Sequence, residues 1–77
     1  MAVNDRAEAQ VAVANYLLDR IRQDQYPSET MMNMLEGFIP RVMARQYVNV
    51  LLEKVVADSF PSISMLGRLI RIVEEMR

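Results

Sequence analysis

The chain is expected to fold as an all-α protein, with four short helices forming two tandem helical hairpins in a compact bundle. Three observations predict this. Apolar residues recur at three- and four-residue spacing, as on one face of a helix. The stretch "NYLLDRIRQDQYPSETM", Asn15 to Met31, returns thirty-four residues later as "NVLLEKVVADSFPSISM", Asn49 to Met65. Both copies contain a Pro-Ser pair suited to stopping one helix and capping the next.

The repeat is specific. Asn15, Leu17, Leu18, Asp24, Pro27, Ser28 and Met31 match Asn49, Leu51, Leu52, Asp58, Pro61, Ser62 and Met65. Asp19/Glu53, Arg20/Lys54, Ile21/Val55, Tyr26/Phe60 and Thr30/Ser64 are conservative pairs, and Leu35/Leu69 extends the match. Convergent use of leucine and proline in helical hairpins would not readily fix all of these in one register. Internal duplication is therefore expected within a single domain, residues 1–77, with units at about 5–38 and 39–76. The period has the length of tetratricopeptide-type solenoid repeats. That family's Gly-x-x-Tyr and Ala-x-x-x-Phe pattern is absent.

Each element follows from local chemistry. Asp5 and Glu8 have capping-box spacing, which starts the first helix near Asp5. Val11, Ala14, Leu18 and Ile21 share its inner face, with Val13 and Leu17 beside them. "QYPS" ends it, and Asp24 is expected to accept hydrogen bonds from the turn that follows. Ser28 caps the second helix, whose stripe is expected to be Met31, Met34, Leu35 and Phe38, with Met32 off the stripe. "GFIP" ends that helix, and Pro40 suits the first turn of the third, which runs to about Asp58. "SFPS" repeats the stop and cap, with Asp58 in the role of Asp24. The fourth helix then runs from about Ile63 to Met76. Asn15 and Asn49 fall on the polar side of their helices, either as solvated residues or as a polar pair across an internal two-fold.

Composition narrows the function. There is no cysteine and no histidine, so no disulfide framework, no thiolate zinc site and no imidazole base is available. A formal net charge of -1 argues against a strong sequence-independent nucleic-acid binder. No apolar run approaches the ~20 residues of a membrane span. The opening "MAVNDRAEAQ" has no basic stretch followed by an apolar one, so a secretory signal is not expected and a cytoplasmic location is. "MMNM", Met31 to Met34, could suggest soft-metal binding, but Met31 recurs as Met65 and core packing explains it. Met32 stays available for a partner surface. Glu74 and Glu75 are adjacent and point about 100° apart on a helix. Ser28 and Ser62 have no base nearby, and no glycine-rich phosphate loop is present. No enzymatic activity and no cofactor are expected.

The differences between the copies are more informative. In the fourth helix Met65, Leu69, Ile72 and Met76 correspond to Met31, Leu35, Phe38 and Val42, an apolar stripe common to both copies. A second stripe, Ile63, Leu66, Ile70 and Val73, corresponds to Glu29, Met32, Glu36 and Ile39. Two glutamates are replaced by isoleucines, and the apolar arc widens to about half the circumference, beyond the ~100° that a surface helix needs. The third helix is similarly enriched, with Val48 for Ala14 and Val56 for Arg22. The second stripe is either internal core or a partner-binding surface. The expected function is a small protein–protein interaction module that binds itself as a homodimer through Ile63, Leu66, Ile70 and Val73, with room for one further protein. The alternative is a small dimeric DNA-binding regulator that presents Arg68 and Arg71 on the fourth helix.

Overall fold

The computed structural model describes residues 5–60 and 62–76. The first four residues, which open the segment considered as a signal, and Pro61, the second proline of the repeat, lie outside the described residues. Among the described residues there are four α-helices and no strand: α1 (Arg6–Gln23), α2 (Glu29–Glu36), α3 (Arg41–Ala57) and α4 (Ile63–Glu75). The chain divides into two compact units, Met1–Met43 and Ala44–Arg77.

Local chemistry sets the helix limits as expected. Asp5 is the N-cap of α1, and its carboxylate accepts from the Glu8 N–H at 2.8 Å. Ser28 and Ser62 cap α2 and α4 in nearly the same extended conformation. Their hydroxyls accept from the N–H groups of Met31 and Met65 at 3.3 and 3.2 Å. Their carbonyls accept the first helical bonds from Met32 and Leu66, both at 3.0 Å. At the end of α3, the Asp58 carboxylate accepts from the Phe60 N–H at 3.3 Å, so the acid satisfies the turn that follows it.

The first unit is a packed pair. α1 and α2 lie against one another. Ala14, Leu17, Leu18 and Ile21 of α1 are buried, as are Pro27 and, on α2, Met32 and Leu35. The Gln10 side chain donates to the Phe38 carbonyl, which ties α1 to the chain leaving α2.

Three expectations about this unit are corrected. Met32 is buried and Met34 is exposed, the reverse of the sequence-based stripe. The face of α2 turned inward is centred on the Met32–Leu35 pair. Those residues are three apart and so only about 60° apart around the helix, whereas Met34 lies about 100° round from Leu35. Phe38 lies beyond the helix, because α2 stops at Glu36. Val11, Val13 and Val42 are exposed, and Leu17 belongs to the α1 core.

α2 has 8 residues and α4 has 13. Gly37 and Pro40 account for the difference. Glycine is a poor helix former, and the ring of Pro40 pushes Ile39 away from helical backbone angles. Their counterparts thirty-four residues on are Arg71 and Glu74, which allow α4 to continue.

Ser28→Ala and Ser62→Ala are each expected to lower unfolding free energy by about 1 kcal/mol, a large share of the stability of so small a domain. Thermal melts of the two variants would measure this. An unchanged melting temperature in either would mean that the hydroxyl contributes nothing as a cap.

Candidate functional surface

Helices that correspond in the sequence repeat bury different arcs. Carried forward thirty-four residues, the buried set of α1 corresponds to Val48, Leu51, Leu52 and Val55. The residues that α3 buries are Met43, Tyr47, Val50 and Leu51. Only Leu51 is common to both sets. Tyr47 and Val50 correspond to Val13 and Tyr16, which are exposed on α1. The inner arc of α3 is thus displaced by about 100° around the helix, one residue's worth of rotation. Leu18 is 2% exposed, while its counterpart Leu52 is 48% exposed.

α4 shows the same displacement. Met32 is buried on α2, yet its counterpart Leu66 is exposed. Met34 is exposed on α2, yet its counterpart Arg68 is buried. Leu69 is the buried apolar residue of the inner face of α4, with Met65 and Ile72 half-buried beside it.

This displacement leaves the second apolar stripe outside. Ile63 is 84% exposed, Ile70 60%, Val73 53% and Leu66 37%. In the same unit Leu52, Val56 and Phe60 are also exposed, while Val48 is half-buried. Apolar surface left in water forgoes roughly 25 cal/mol for each Å² that could be covered. Single exposed apolar residues are ordinary, whereas these four lie together along one helix face. The second stripe therefore does not serve as internal core within the chain.

Two further features of α4 adjoin the stripe. Gly67 sits beside Ile63 and Ile70 on the helical wheel and is exposed, and a Cβ placed on it would meet nothing within 4 Å. Glycine inside a helix costs roughly 0.5–1 kcal/mol relative to alanine, and nothing in the chain offsets that here. The charge order of α4 also opposes its macrodipole. No acid lies in its first turn and no base in its last, where Glu74 and Glu75 stand.

The two arginines of α4 have different surroundings. Arg71 is exposed, whereas Arg68 is buried and its stem lies within the inner face. The pair does not form one outward basic face. Asn15 and Asn49 are both exposed.

No cluster of acids that could hold a metal ion occurs among the described residues. No helix among them is long and apolar enough to cross a membrane. Comparison with protein-family models, curated proteins and solved structures finds no match.

Sequence reasoning identified the stripe but missed the inner face of α3. Met43, Tyr47, Val50 and Leu51 have i, i+4, i+7, i+8 spacing, a helical signal that was present but outweighed by the repeat. Gly67 was legible only as an isolated glycine.

Arg68→Ala is expected to lower the melting temperature, because the variant loses a buried stem as well as a charge. Arg71→Ala is expected to change unfolding free energy by no more than about 0.5 kcal/mol. Equal effects of the two substitutions would contradict the distinction drawn between their surroundings.

Proposed function

We propose that this chain is a small helical protein–protein interaction module that associates with itself through the outer stripe of α4. One observation carries the proposal. α4 turns Ile63, Leu66, Ile70 and Val73 to solvent along one face. A lone chain leaves this apolar surface in water, although covering an isoleucine is favourable. Covering the stripe on association removes that surface from water. So short a chain also has much to gain, because association stabilises the folded state by mass action.

Internal duplication is the origin that best explains the pattern. α1 and α3 end thirty-four residues apart, at Gln23 and Ala57, and α2 and α4 begin thirty-four residues apart, at Glu29 and Ile63. The serine caps recur with matching geometry. On this view the two copies kept the devices that start and stop helices and diverged in the faces they bury. The Glu-to-Ile differences at positions 63 and 70 then mark the surface acquired by the second copy.

The DNA-binding alternative has less support. A recognition helix presents several polar and basic side chains to the groove. Here Arg71 is the exposed cation of α4, and beside it the exposed positions include the four apolar stripe residues and the acids Glu74 and Glu75.

The test is molar mass by light scattering over a range of concentrations, paired with circular dichroism. The native chain is expected to be dimeric in the micromolar range. Ile63→Glu with Ile70→Glu is expected to remain helical and become monomeric, since a charge in a packed interface carries a desolvation cost of about 1–3 kcal/mol or more. Leu69→Glu, which strikes the buried face, is expected to lose helical signal. A native chain that is monomeric throughout, or a double variant that unfolds as the Leu69 variant does, would overturn the proposal.

A further inference from the structure

Resting on the self-association proposed above, we infer that the occupant of the stripe is α4 of a second copy, running antiparallel and crossing close to Gly67. The spacing of the stripe is the first argument. Ile63, Leu66, Ile70 and Val73 follow a three-four-three pattern, nearly three turns of a heptad-type seam. The pattern reads the same in both directions about position 68. An antiparallel copy therefore places Ile63 against the other copy's Val73, and Leu66 against its Ile70.

Charge supplies the second argument. Glu74 and Glu75 stand at the C-terminal end of α4, where its own dipole disfavours them. Antiparallel pairing brings Glu74 beside the other copy's Ser62 and Ile63, the N-terminal end of that helix. Acids are favoured there, and no acid occupies the first turn of α4. A parallel pair would instead set Glu74 against Glu74 and align the two dipoles. The charge order that is unfavourable in one helix becomes complementary between two antiparallel ones.

Gly67 is the third argument. It flanks the seam near its midpoint and is exposed, with open space where a side chain would stand. Packing within the chain does not require a glycine there, and the corresponding residue of the first unit is Asn33. A second backbone crossing at this point does require a small residue, because close approach of two helices leaves no room for a Cβ between them. The two copies of Gly67 flank the crossing on one side of an antiparallel seam.

The chain has no cysteine, so introduced cysteines report orientation without interference. Ile63→Cys and Val73→Cys variants would be mixed, oxidised and resolved by non-reducing electrophoresis, after light scattering establishes that each is dimeric when reduced. A mixed disulfide between positions 63 and 73, with little joining 63 to 63, is the expected result. A dominant 63–63 product would overturn the antiparallel arrangement while leaving self-association intact. Dimeric mass with neither product would place the interface elsewhere and overturn the α4 pairing. Monomeric mass for the native chain would remove this inference together with the proposal beneath it. Gly67→Ala gives an independent reading. It is expected to keep or raise helical content while weakening dimerisation about tenfold or more. An alanine variant that dimerises as tightly as the native chain would overturn a close crossing at Gly67.

Discussion

The constraint on which this structure depends is the width of the apolar arc on α4. A helix packed against one neighbour buries a stripe of about 100°, and α4 carries apolar residues around nearly twice that. One face, with Leu69, goes inward, and the other remains outside with Ile63 and Ile70. Seventy-seven residues provide little material to cover both. The choice of inner face therefore decides what the surface becomes.

The same choice is seen on both helices of the second unit. α3 buries Tyr47 and Val50 and leaves Leu52 outside, and α4 buries Arg68 and leaves Leu66 outside. In the first unit the corresponding leucine and methionine, Leu18 and Met32, are both inside. The same displacement of about a quarter turn on both helices means that the second unit is not a copy of the first with surface substitutions. It uses the same helix limits to present a different pair of faces. Buried Arg68 is compatible with this, because a long aliphatic stem can lie against apolar neighbours.

Mid-helix glycine, reversed charge order and a symmetric apolar seam are each unremarkable alone. Together on the outer side of α4 they gain a common explanation in a second helix of the same sequence. In the proposed antiparallel pair, glycine would admit a close backbone, Glu74 would meet the opposite helix pole, and the seam would meet itself.

Helix limits were legible in the sequence because their causes are local. Asp5, Ser28 and Ser62 cap helices through bonds to groups three residues away, and Gly37 with Pro40 shortens α2 through backbone geometry alone. The candidate stripe was legible too, as four apolar positions on one face of α4. Which arc of each helix turns inward was not. On α2, Met31, Met32 and Met34 are equally apolar, so periodicity could not place Met32 inside and Met34 outside. On α3, the match to α1 pointed to Leu52 rather than Tyr47. On α4, the apolar arc is wide enough to accept either orientation, and an arginine went inward where an isoleucine stayed out. Capping is settled within one turn of chain, whereas the rotation of a helix about its axis is settled by the side chains that pack against it, and those are brought there only by the tertiary fold.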